Sequence, residues 1–188
     1  MKIFLVRHAT PDWEHNNLPY DIKPGPRLSP KGEREAEALA EFLKSQGVVK
    51  LFYSPFERGA RTAQIVATAN GIPGVEEEGL AEWPMAVEPE IHVRQRMSSV
   101  FGRAARESAE SGPIGLVSHG GPIALLLLEL GINQDDLAPY RTMFDTTNPV
   151  PPAGAWKVEG CLGEGRLDFQ LVFTPPINQS RDESPHGL

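Results

Sequence analysis

Three short runs, Ile3 to Val6, Val48 to Tyr53 and Ile114 to Val117, are dominated by apolar and β-branched residues, and each gives way to polar residues and then to a helical pattern. Apolar runs without alternation suit strands covered on both faces, which is the interior of a parallel sheet. The helical patterns carry matching boundary signals. Ser29 is a good N-cap with Pro30 at the first helical position, Ala36, Leu39, Ala40 and Leu43 recur at three- and four-residue steps, and Gly47 ends the segment. Arg58 to Asn70 carries Ala63, Val66 and Ala67 on one face with Gly71 as its cap, and Pro122 to Leu130 is an apolar helix stopped by Gly131. Strands alternating with helices define an α/β fold. The expected architecture is a three-layer sandwich with a largely parallel central sheet and helices on both faces, built as one domain over residues 1–175. In such a fold ligands bind outside the carboxyl ends of the strands.

The remaining segments follow the same logic. Asp12 to Arg27, rich in Pro, Asn and Gly, is expected to be a long surface loop, and loops of that length are usually functional. Val75 to Glu78 is a short edge strand. Pro89 to Ser111, with Ile91, Val93, Met97, Val100, Phe101 and Ala104, is a long amphipathic helix interrupted only by Gly102. Ala155 to Glu159 and Leu167 to Phe173 form a hairpin about a turn at Gly163-Glu164-Gly165, and the polar residues 176–188 are expected to be poorly ordered. Cys161 is expected to be a small buried filler. His15, His92 and His186 are expected at the surface.

Composition narrows the class of function. Eighteen Lys+Arg against 25 Asp+Glu leave a net charge of -7, which repels a phosphate backbone, so neither a nucleic-acid nor a membrane partner is expected. The longest apolar run, Ile123 to Leu128, is far short of the roughly 20 residues that span a bilayer. The first residues lack the apolar length of a signal peptide, so a cytoplasmic location is expected. One cysteine makes neither an internal disulfide nor a cysteine-rich zinc site.

The convergence of Arg7-His8, Ser54 to Arg58 and His119-Gly120 on one sheet edge is the chemical content of the pattern. Arg7 and Arg58 are planar forks suited to phosphate oxygens, and the Gly120-Gly121-Pro122 helix start adds amide donors at its positive end. A neutral imidazole can attack phosphorus while a second, protonated one stabilises charge on the equatorial oxygens. The alternative, zinc held by the two histidines with Asp12 or Glu14, is opposed by two arginines in the same place.

These residues resemble the signatures of the histidine phosphatase (phosphoglycerate mutase-like) superfamily. Leu5-Val6-Arg7-His8-Ala9-Thr10 resembles its first histidine motif and Leu28-Ser29-Pro30-Lys31-Gly32 its helix start. Ser54-Pro55-Phe56-Glu57-Arg58 with Thr62-Ala63 resembles its second arginine motif, and Val117-Ser118-His119-Gly120-Gly121 its second histidine motif. The resemblance implies catalytic His8, Glu82 and His119, a phosphate pocket of Arg7, Arg58, His119 and Gly120, and no metal or other cofactor. Within it Glu82 is the acid that protonates the leaving oxygen. Ala9-Thr10 and Glu82-Trp83-Pro84 depart from the common pattern, and Glu14 stands where mutases often carry an asparagine.

The expected function is hydrolysis of a small phosphomonoester through a phosphohistidine on His8. A phosphohistidine protein phosphatase, a phosphoglycerate mutase-like mutase and a non-catalytic phospho-ligand module are the competing readings. Trp13, Trp83 and Arg141 are candidates for the pocket mouth, and the loop 12–27 with Leu137 to Ala153 is where leaving-group selection is expected. Ala155 to Glu159, taken as an edge strand, is a candidate to pair across a homodimer.

Overall fold

The computed structural model describes residues 1–14, 18–144, 148–161 and 167–176. The expected Gly163–Gly165 turn, residues 177–188, His15 and His186 lie outside the described residues. Six strands form one sheet: β1 (Lys2–Arg7), β2 (Lys50–Tyr53), β3 (Gly74–Glu76), β4 (Ile114–Ser118), β5 (Ala155–Glu159) and β6 (Asp168–Phe173), in the spatial order β3-β2-β4-β1-β5-β6. The β3-β2-β4-β1 part is parallel, and β5 and β6 add antiparallel strands beyond β1.

Two helices cover one face, α1 (Pro30–Ser45) and α2 (Glu57–Asn70), while α3 (Glu90–Ser111) and α4 (Gly120–Glu129) cover the other, followed by α5 (Gln134–Phe144). Strand β1 shows why its sequence does not alternate. Phe4 and Val6 pack with Leu39, Leu43 and Val66, whereas Ile3 and Leu5 pack with Met97, Phe101 and Leu126. All four strand residues are buried, each worth roughly 1.5–3 kcal/mol of transfer free energy. Ser29 Oγ accepts from the Gly32 amide at 3.0 Å and Pro30 opens α1. Gly32 also permits a close approach. A Cβ there would stand 2.1 Å from the Thr10 carbonyl oxygen, so glycine lets α1 close onto the chain just after the site.

The structure corrects several expectations. Strand β5 is not an edge. It lies between β1 and β6, so its backbone groups are already paired and the expected dimer contact through Ala155–Glu159 has no free edge to use. The edges are β3 and β6. Cys161 is exposed, following β5 out of the sheet instead of filling a core gap. The short strand runs over Gly74–Glu76, with Glu78–Leu80 turning into a 3-10 helix. Part of the Leu137 to Ala153 segment, to which sequence reading gave no secondary structure, belongs to α5, which tolerates Pro139. The long loop is closed at its base, where the Asp12 amide donates to Arg27 O at 2.8 Å and Pro11 bridges Leu28. Among the described residues, no helix is long and apolar enough to cross a membrane.

Candidate active site

Backbone pairing at the carboxyl ends of β1, β2 and β4 fixes the floor of the site. The His8 amide donates to Ser118 O at 2.9 Å, the His8 carbonyl accepts from Ala153 N at 3.1 Å, and the Ser54 amide donates to Val117 O at 2.9 Å. His8 is thereby held between two chain segments before its side chain is considered. Arg7, one residue earlier, donates from Nη1 to Val150 O at 3.0 Å.

The His8 ring is fully buried, and its Nδ1 stands 2.8 Å from Ala9 O. A carbonyl only accepts, so Nδ1 carries the proton and Nε2 presents its lone pair. That lone pair faces Arg58 Nε at 3.2 Å and the Tyr20 hydroxyl at 3.1 Å, both donors. Arg58 is fully buried as well. Its Nη2 donates to Glu82 Oε2 at 2.9 Å, its guanidinium lies 3.8 Å over the Tyr20 ring, and its Nη1 has no hydrogen-bond partner among the described residues. Gly25, in the left-handed region at φ 68°, makes this approach possible, because a Cβ there would come within 2.6 Å of Nη1. A buried guanidinium N–H without an acceptor is a donor waiting for an anion.

His119 completes the floor, its ring centroid 5.0 Å from that of His8. Nε2 is 2.7 Å from Ser54 Oγ, which accepts from the Phe56 amide. Nδ1 stands 3.2 Å from Glu82 Oε2, a close contact lying off the N–H direction, so this nitrogen has no aligned hydrogen bond. Glu82 Oε1 accepts from the Trp83 amide at 2.9 Å. Its segment is clamped from α3: Arg96 donates to the carbonyls of Gly79, Ala81 and Glu82 while pairing with Glu88, and Ser118 Oγ donates to Leu80 O.

The electrostatics follow from this packing. Burial, then the neighbouring His119, Arg58 and Arg7, hold the His8 imidazole well below its ordinary value, so it is neutral at pH 7. Burial also lowers His119, against the pull of Glu82. Burial works against a charged Glu82, but His119, the Trp83 amide and Arg58 outweigh it, and the carboxyl stays ionised far below its usual range. Two cations, one carboxylate and two neutral rings leave the floor net positive, suited to a phosphoryl group.

His8, Glu82 and His119 also bring three donor atoms within 4.8 Å of one another, the donor count of a two-histidine, one-carboxylate metal set. Arg58 stands among them, bonded to two of the three, so a cation there must first evict a buried guanidinium.

Of the residues singled out from sequence, His8, Arg58, Glu82 and His119 meet directly and Arg7 adjoins them. Gly120 opens α4 with the Asn148 side chain against it, where a Cβ would stand 2.0 Å from Oδ1. Trp13 reaches the site by stacking on Tyr20 at 4.9 Å, and Trp83 ties its indole to Glu88 O. Glu14 is exposed, with its amide on Asp12, and stays out of the floor. Arg141 lies on α5 beside Gln134, and His92 is at the surface as expected. Sequence reading missed Tyr20 and Arg96, and it placed Ser54 at the converging edge without giving it a role. Ser54, the first residue after β2, turns out to hold the His119 ring from that edge. Tyr20 and Arg96 carry no local signal.

Comparison with known proteins agrees with this geometry. The model of the histidine phosphatase superfamily (branch 1) matches residues 3–88. A probable phosphoglycerate mutase GpmB of Yersinia enterocolitica is 29% identical over 161 residues, 69% of this chain and 74% of that protein. The corresponding Serratia proteamaculans protein is 31% identical over 87 residues, covering 46% of this chain but only 40% of its own length. In fold, a mycobacterial glucosyl-3-phosphoglycerate phosphatase in complex with VO3 superposes with a TM-score of 0.72 at 19% identity, over 93% of this chain and 99% of that one. A putative alpha-ribazole-5'-P phosphatase of Escherichia coli gives 0.69 at 18% identity, over 93% and 96%. With its histidine and arginine motifs gathered at one sheet edge, this chain is similar to the histidine phosphatase superfamily in sequence over residues 3–88 and in fold over most of its length.

Proposed function

We propose that the chain is a metal-independent phosphatase that hydrolyses a small phosphomonoester through a phosphohistidine on His8. The observation that carries this reading is the state of the His8 ring: its tautomer is fixed by Ala9 O, and its Nε2 lone pair is turned toward Arg58 and held neutral by burial.

The substrate phosphorus replaces the Tyr20 hydroxyl in front of Nε2. The N–P bond forms as the P–O bond to the leaving alcohol breaks, roughly in line. Arg7 and Arg58 bind the equatorial oxygens, where Nη1 of Arg58 finds its missing acceptor, and His119 takes up a proton as the dianion arrives. Glu82, so strongly ionised in the free site, needs a proton before it can serve the leaving oxygen. The incoming phosphate supplies the cause, by competing with the carboxylate for Arg58 and His119. Water then attacks the phosphohistidine, with Glu82 accepting its proton, and inorganic phosphate leaves.

The test is a panel of phosphomonoesters assayed with and without chelator. We expect turnover that is indifferent to chelator and falls at least about 1000-fold in His8→Ala. Half-retained activity in His8→Ala removes the nucleophile, and loss with chelator transfers the chemistry to a metal. The mutase name of the sequence relatives favours a second reading. It predicts interconversion of 2- and 3-phosphoglycerate faster than release of inorganic phosphate, and the opposite order supports hydrolysis.

A further inference from the structure

We infer that the site selects an aryl or arylalkyl phosphomonoester, whose aromatic leaving group is received by the Trp13–Tyr20 pair. This rests on the phosphatase reading for its chemistry, but the recognition claim can be tested without turnover.

Attack in line from His8 Nε2 pushes the leaving group away from the buried floor and toward the mouth. The first group met there is Tyr20. Its hydroxyl is 3.1 Å from Nε2, about the separation at which a reacting phosphorus must stand, so substrate has to displace it. The ring it belongs to is stacked at 4.9 Å and 19° on Trp13 and lies under the Arg58 guanidinium, so displacement opens a place bounded by an indole and a planar cation. Both surfaces favour a flat π-system. Trp13 itself is 63% exposed, a large apolar surface left facing solvent at the entrance. The segment that follows Glu82 leaves Met85 74% and Val87 80% exposed.

Charge points the same way through what the loops have already committed. Residues 12–27 contain two cations, Lys23 and Arg27, paired with Glu78 and Asp12 respectively, and residues 81–89 contain no Lys or Arg. Residues 148–153 contain none either. A leaving group bearing a carboxylate or a second phosphate would meet acids or committed cations there, whereas an aromatic ring meets aromatic and aliphatic surface. The mixed-charge cleft of about 730 Å3 lined by Asp12, Arg27, Glu33 and Arg61 includes none of the residues that touch His8, and Arg27 and Arg61 are paired within it.

Calorimetric titration of the full chain with benzylphosphonate and with 2-hydroxyethylphosphonate tests recognition directly, since neither can be hydrolysed. Benzylphosphonate should bind at least about tenfold more tightly, and Trp13→Ala should cut that ratio to about threefold or less while Trp13→Phe keeps most of it. Equal affinities, or a ratio untouched by Trp13→Ala, overturn the inference. In turnover, kcat/KM for benzyl phosphate should exceed that for glycerol 3-phosphate, whose leaving alcohol is of similar acidity. Preference for glycerol 3-phosphate or 3-phosphoglycerate would also overturn it. Failure of the phosphatase reading shows separately, as no His8-dependent hydrolysis of any ester whatever the phosphonate affinities.

Discussion

The floor and the mouth of the site are built on opposite principles. On the floor, His8, Arg58 and His119 are fully buried, extend from the ends of parallel strands, and interlock through Glu82. At the mouth, Trp13 is largely exposed, stacks on Tyr20 and sits on a loop closed at its base by the Asp12–Arg27 backbone pair. A buried charged network tolerates almost no change, because each member satisfies another that water cannot reach. An exposed aromatic rim tolerates much, because water replaces whatever is lost. In the proposed reading the floor fixes the reaction type and the rim sets the substrate, a division that matches where loops carry specificity on a rigid scaffold.

That contrast can be broken by substitution. Arg58→Lys keeps the charge but loses the fork that serves His8 Nε2 and Glu82 together. We expect kcat/KM to fall about 100-fold, with weaker inhibition by inorganic phosphate and vanadate. An unchanged inhibition constant would take Arg58 out of the pocket.

Acid should act on the floor before the rim. His8 is held well below 6.5, so between pH 6.5 and its folded value the unfolded chain binds a proton that the folded chain refuses, and stability falls as pH falls. Glu82, depressed from 4.5, adds a further loss below that pH, because there the unfolded carboxyl takes up a proton first. Unfolding free energies from denaturant titrations at pH 7.5 and 5.5 should therefore differ by about 1 kcal/mol more in the wild type than in His8→Asn. The same difference in both would mean that the ring is not kept neutral by the fold.

The smallest effect belongs to the rim. Glu14 is exposed and bonded through its backbone, so Glu14→Gln should change kcat/KM less than about twofold. A tenfold change would place its carboxylate against substrate.

The layered fold and the meeting of His8, Arg58 and His119 were legible because they rest on local signals: unbroken apolar runs, a Ser29-Pro30 helix start, Gly71 in the left-handed cap, and polar residues set at strand ends. Strand order was not, since nothing within Ala155–Glu159 tells whether a sixth strand pairs beyond it, and the edge assignment failed there. Helix α5 escaped because Pro139 reads as a breaker and its apolar pattern is weak. Arg96 and Tyr20 act through contacts with residues distant in the chain. An arginine on an amphipathic helix and a tyrosine in a proline-rich loop look alike whether they face solvent or a nucleophile.

The central claim is that the neutral, buried His8 forms the covalent bond. Quenching the enzyme in alkali within its first turnovers of benzyl phosphate, then mapping phosphorylation by mass spectrometry, addresses it directly. The account predicts an acid-labile, alkali-stable phosphoryl group on the peptide containing His8, appearing as alcohol is released and absent in His8→Ala. Full turnover with no phosphoenzyme on that peptide, or with the group on another side chain, would contradict it.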